Sequence, residues 1–100
     1  MTNVPSVDDP VRYARIIKDG FLRELCVKDR EAIQNGRSNI FTIEEIWDRS
    51  LHGFSVDEVR SHVRGYSMEP EAELEFVDNI DEDRIRLTDR GRNVNCEGLV

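Results

Sequence analysis

Nowhere in this 100-residue chain do apolar side chains run long enough to cross a bilayer, which takes about 20 in succession, so no membrane span is expected. The first residues, Met-Thr-Asn-Val-Pro-Ser-Val-Asp-Asp, carry neither a basic start nor an apolar stretch, and no export signal is expected there. Cysteine is scarce. Cys26 and Cys96 lie seventy positions apart, form no metal-ligand or redox motif, and fit a reducing cytoplasm, with Cys26 a core thiol and Cys96 a near-terminal one. Histidine is equally sparse: His52 and His62 stand ten apart without ligand spacing, and His62, beside the apolar Val63, reads as a boundary residue and not a ligand. Residues 78–83, Asp-Asn-Ile-Asp-Glu-Asp, have the oxygen density of a calcium loop but lack its glycine and terminal glutamate, so a solvated acidic turn is expected. No glycine-rich phosphate loop, nucleophile elbow or pocketed carboxylate pair is found. Neither enzyme activity nor a metal or cofactor is expected.

What the chain does contain is charge, unevenly spread. Fourteen basic against twenty-one acidic residues give −7, the wrong sign for indiscriminate affinity to nucleic acid. Residues 69–83 alone hold eight carboxylates and no cation, which leaves fourteen basic and thirteen acidic residues elsewhere. Any basic contact surface must avoid that segment. Twelve of the cations are arginine, suited to bidentate phosphate contacts, though composition alone can produce the same bias.

Three helical blocks precede the acidic segment. Asp9-Pro10 opens the first with a carboxylate cap and a proline at the first helical position. Val11, Ala14, Ile17, Phe21, Leu22 and Leu25, with Cys26 beside them, then recur on one face, Ala32 and Ile33 extend it, and Asn35-Gly36 supplies a stop. Gly20 interrupts at a cost of ~1 kcal/mol, too little to end the helix; a break near Asp29 is left open. After the short apolar piece Asn39-Ile40-Phe41, Thr42-Ile43-Glu44-Glu45 matches a capping box. Ile43, Ile46, Trp47 and Leu51 follow at helical intervals, and Gly53 stands where a left-handed residue would close that helix. Ser55-Val56-Asp57-Glu58 repeats the capping box and starts a third block carried by Val56, Val59, Val63 and Tyr66, with Pro70 bounding it. Two short capped helices around a tight turn form a helix-turn-helix pattern.

A hairpin is expected next. Leu74 and Phe76 alternate with Glu73, Glu75 and Val77, and Ile85 and Leu87 alternate with Arg84 and Arg86. Symmetric closure on residues 78–83 sets Val77 against Arg84, Phe76 against Ile85, Glu75 against Arg86 and Leu74 against Leu87. The second strand passes straight into a helix start, with Thr88 as cap and Asp89 in the first turn. In the order helix, short strand, helix, turn, helix and two-stranded hairpin, the pieces resemble the winged-helix family over residues 10–92. The most specific element is Ile85-Arg86-Leu87-Thr88-Asp89-Arg90-Gly91-Arg92, which looks like the second wing strand and Leu-Thr-Asp-x-Gly-Arg ending of regulators of the MarR and PadR kind. The resemblance implies a mainly α fold of three helices plus a two-stranded wing, flanked by tails at 1–9 and 93–100. It makes 55–66 the recognition helix, 43–51 its support and 73–88 the wing. Such regulators commonly continue into a dimerising helix; twelve residues follow Thr88 here, so a homodimer is expected to use helix 10–35 or the tail.

If Val56, Val59, Val63 and Tyr66 face inward, Asp57, Arg60, Ser61 and Arg64 face outward. Arginines there can bond guanine edges or phosphate in the major groove. The same residues also make an ordinary solvated face, with Asp57 paired to Arg60 or Ser61 for ~0.2–0.5 kcal/mol. Two functions follow. One is a cytoplasmic, sequence-specific transcriptional regulator that binds double-stranded DNA through Arg60, Ser61 and Arg64, with Arg37 and Arg90 on the backbone. The other is a winged-helix module that docks a basic protein on the acidic segment 69–83. The wing opposes its own use on DNA: Glu75 faces Arg86, and the tip carries Asp78, Asp81, Glu82 and Asp83 against a duplex with about one charge per 1.7 Å.

Overall fold

Helix α1 (Pro10–Gln34) runs for 25 residues without a break at either Gly20 or Asp29. Ile17, Phe21, Leu22 and Leu25 are wholly buried along it. Gly20 is there for packing: a Cβ at that position would stand 3.0 Å from Leu51 Cδ2, so the missing side chain lets α1 approach the end of the next helix. The expected stripe is too long at both ends. Val11 is 70% and Ile33 56% exposed, because a helix of this length, ~37 Å at 1.5 Å per residue, overruns the elements it packs on. Its stop forms as the Asn-Gly pair implies. Gly36 takes φ 66°, its N–H donates to the Ile33 carbonyl, and the Arg37 N–H donates to Ala32 at 2.8 Å, which satisfies two orphan carbonyls.

Strand β1 (Ile40–Thr42) leads directly into α2 (Ile43–Ser50). Both halves of the Thr42/Glu45 capping box are present: Glu45 N–H donates to Thr42 Oγ1 at 3.2 Å and Thr42 N–H to Glu45 Oε2 at 2.9 Å. Helix α2 closes on Leu51, whose N–H reaches the Trp47 carbonyl. Gly53 is not left-handed; Gly36 alone is, among the described glycines. The expected glycine cap is therefore corrected, since the chain turns through Leu51 and Phe54, with the Phe54 N–H on the Leu51 carbonyl at 2.8 Å. Helix α3 (Val56–Tyr66) follows, then β2 (Leu74–Phe76), β3 (Arg84–Leu87) and α4 (Asp89–Asn95).

The computed structural model describes residues 10–51, 53–68, 70–77 and 84–96; His52 and the acidic tip 78–83 lie outside them. Within that set the chain is mainly helical with a small antiparallel sheet of three strands in the order β1-β3-β2. Its register is the expected one, with Leu74 opposite Leu87, Glu75 opposite Arg86 and Phe76 opposite Ile85. The short strand expected after the first helix is β1, and it corrects the two-stranded sheet to three by pairing Ile40 with Arg86 and Thr42 with Arg84. The reason is that β3 needs partners on both edges: Ile85 and Leu87 are buried, and buried backbone groups go paired. Phe41, half-buried, packs on the same core.

Helix α4 starts at the expected Thr88 cap, adds a fourth helix to the three the resemblance implies, and folds back on α1. Thr88 caps it, accepting from the Gly91 N–H at 3.0 Å and donating to the Ala72 carbonyl at 2.7 Å. Gly91 rests against the Glu73 carbonyl so closely that any Cβ would overlap it. Behind it Cys96 forms a disulfide with Cys26, Cα to Cα 5.5 Å, so the expectation of two free thiols is overturned. Sequence separation hid the pairing, because only the return of α4 onto α1 brings the two cysteines together. With them goes the premise for a reducing compartment. No helix among the described residues is long and apolar enough to cross a membrane.

Candidate nucleic-acid interface

Helix α3 is held rigidly by its buried face. Val59 and Val63 are fully buried, and Val56 and Tyr66 are half-buried at its ends, as the periodicity predicts. Ser55 caps it by accepting the Glu58 N–H at 3.1 Å. The reciprocal half of that capping box is replaced by something else. Glu58 Oε2 instead accepts the Tyr13 hydroxyl of α1 at 2.6 Å, a charge-assisted bond that fastens α3 to α1 and raises the Tyr13 pKa. The Tyr13 ring meets Phe54 edge-on at 5.2 Å, and Trp47 Nε1 donates to the Phe54 carbonyl at 2.7 Å. The turn between α2 and α3 is thereby clamped from both sides.

The outward face carries Asp57, Ser61 and Arg64, all exposed, with Arg60 half-buried among them. Arg60 Nη1 lies 3.3 Å from Asp57 Oδ1 across one helical turn. Ser61 donates its hydroxyl to the Glu58 carbonyl at 2.9 Å, which leaves its lone pairs directed outward as acceptors. Asp57 and Ser61 are thus not partners of each other. The remaining expected residues sit elsewhere: Arg37 is exposed in the turn after α1, and Arg90, on α4, lies 3.8 Å from Glu71. Only Arg60, Ser61 and Arg64 share one helix. Arg49, exposed in the last turn of α2 just before the clamped turn, was not singled out by sequence reasoning; its basic side chain at a helix end was the available signal.

Comparison with protein-family models, curated proteins and solved structures returns no match. Function must come from the geometry.

Several cations are paired within the chain. Arg86 Nη2 pairs with Glu75 at 2.8 Å across the hairpin, as its register requires. Arg92 donates from Nε to Asp29 Oδ2 at 3.0 Å and from Nη1 to Asp89 at 2.9 Å. Asp29 is 2% exposed, and the Asn39 amide also donates to it at 3.0 Å, so this carboxylate is a structural anchor for α4. The hydrogen bond to Asp29 is the chief cause of a raised Arg92 pKa. Lys18 pairs with Glu73 at 2.8 Å, and Asn95 Nδ2 donates to Glu73 Oε1 at 2.7 Å. Burial pushes Glu73 up, but these two partners outweigh it and its pKa ends lowered. The Glu75–Arg86 pair is the one expected from the register; the Asp29 and Glu73 anchors were not foreseen, since each joins residues distant in sequence. No cluster of metal-ligating side chains occurs among the described residues.

Proposed function

We propose that this chain is a winged-helix DNA-binding protein, a transcriptional regulator that presents α3 to the major groove. The observation that carries the reading is the outward row of α3. Arg60, Ser61 and Arg64 lie on one face of a capped helix whose opposite face is buried and whose entry turn is clamped by Trp47, Phe54 and Tyr13. A reading element must hold its side chains in place before contact, and rigid packing supplies that. The helix, strand, helix, turn, helix, hairpin order and a central β3 flanked by β1 and β2 agree with a winged helix. Arg60 and Arg64 contact base edges or phosphate, Ser61 contributes an acceptor, and Arg37 reaches the backbone. Arg90 assists once released from Glu71, a pair long enough at 3.8 Å to exchange for phosphate.

Neutralised carboxylates set the balance against a second reading, in which the acidic segment docks a basic protein. Glu75 already pairs with Arg86 and Glu73 with Lys18, each at 2.8 Å, so part of that segment is satisfied internally. Titration against mixed-sequence duplex at two salt concentrations tests the choice, with affinity expected to fall as salt rises. Arg60→Ala and Arg64→Ala should each weaken binding to a selected site by ~1–3 kcal/mol, the value of a base contact. Absence of binding at low salt refutes the DNA reading, and unchanged affinity in both variants refutes the assignment to α3.

A further inference from the structure

The crosslink between α1 and α4 borders an opening. A cavity of about 250 Å³ is lined by Cys26, Cys96, Asp29, Arg30, Ile33 and Arg92. The two sulfurs differ in access: Cys26 is 2% exposed, whereas Cys96, capping α4, is half-buried. The charges on the wall are unequal. Asp29 is matched by Arg92 through Nε and Nη2, and Asp89, which also takes Arg92, projects into solvent with its side chain 96% exposed. Arg30 is exposed and has no partner among the described residues. The cavity therefore offers an anion one unspent guanidinium beside a disulfide. Helix α4 has other attachments besides that bond, at Thr88, Gly91 and the Asp29 pair.

Independently of the reading of α3, we propose that Cys96 is a thiol-exchange site for a small thiol bearing a carboxylate, with Arg30 receiving the carboxylate. The incoming thiolate attacks Cys96 Sγ, and the electron pair of the broken S–S bond passes to Cys26 Sγ. Cys26 leaves as a thiolate and takes a proton from solvent. The products are a mixed disulfide on Cys96 and a Cys26 thiol, with no outside oxidant consumed. The reverse attack by Cys26 restores the crosslink and releases the small thiol. A disulfide able to cycle in this way suits a compartment that holds a thiol pool, where lasting disulfides are rare.

The test uses the full chain in its oxidised form with 3-mercaptopropionate as the anionic thiol and 2-mercaptoethanol as the neutral one. Under native buffer, peptide mass spectrometry should place the adduct on Cys96 while far-ultraviolet circular dichroism stays unchanged. Arg30→Gln should slow exchange with mercaptopropionate about two- to fivefold, the size of one exposed charge interaction, and leave mercaptoethanol unaffected. Added salt should erase the difference. Exchange that begins only as the dichroism signal is lost overturns the proposal, as does an adduct on Cys26, a purified chain without the crosslink, or equal slowing of both thiols.

Discussion

A methyl group on Gly91 has nowhere to go, because the carbonyl of Glu73 occupies its space and Leu87 Cδ1 stands 2.9 Å away. The backbone oxygen cannot yield without breaking its bond from the Thr88 N–H. Gly91→Ala should therefore cost ~1–3 kcal/mol of stability by overpacking, read as a lower urea midpoint; an unchanged midpoint would show that α4 can lift off the sheet. Tyr66 makes the opposite case. Its hydroxyl is buried and meets no hydrogen-bond partner among the described residues, while Lys18 Nζ sits 5.8 Å over its ring. Burial, then the charges of Asp19 and Glu73, push its pKa well above the ordinary phenol value. A phenol with a raised folded pKa leaves stability intact below its unfolded value, about 10, and loses it as pH rises beyond that point. Tyr66→Phe should thus match or exceed the parent by up to ~1 kcal/mol at neutral pH. Thermal melts should also show it losing less between pH 9 and about 11, the window that follows from the phenol range. A large loss at neutral pH would refute the unpartnered hydroxyl.

Among the elements, those defined by neighbours in sequence were legible beforehand. Thr42, Ser55 and Thr88 each accept a backbone N–H three residues on, and the hairpin register came from nothing more than alternation of apolar and charged residues. Where a local signal had a competitor from another element, it failed. Glu58 had two claims on it, the Ser55 backbone and the Tyr13 hydroxyl, and the more distant one won. Val11 and Ile33 kept the helical interval but found no element to pack on. The tie between α1 and α4 is the element-level feature with the largest energetic consequence. It closes a separation of 70 residues, for which loop-closure entropy gives about 4 kcal/mol and typical measured values run ~2–4 kcal/mol. Replacing Cys26 and Cys96 together by alanine should lower the unfolding free energy by ~2–4 kcal/mol in a denaturant titration. A parent chain that unfolds at the same midpoint with and without reductant would contradict this.

For the molecule as a whole, net charge and local charge pull apart. The chain totals −7, yet the face proposed for DNA is basic, and phosphate contacts from Arg37, Arg60 and Arg64 imply a slope of log affinity against log salt of about −3, at roughly −0.9 per contact. A slope near zero would mean the acidic surface dominates association and would favour a basic protein partner. Composition, helix starts, the Asn35-Gly36 stop, the hairpin register and the outward row of α3 were determined by the sequence on its own, because capping, periodicity and turn chemistry act between residues a few positions apart. The pairing of β1 with β3, the burial of Asp29 against Arg92, the Glu73 anchor and the disulfide were decided only by the tertiary structure. Each joins groups from separate elements, and whether they meet depends on how α4 and β1 return to the body, which no local interaction encodes.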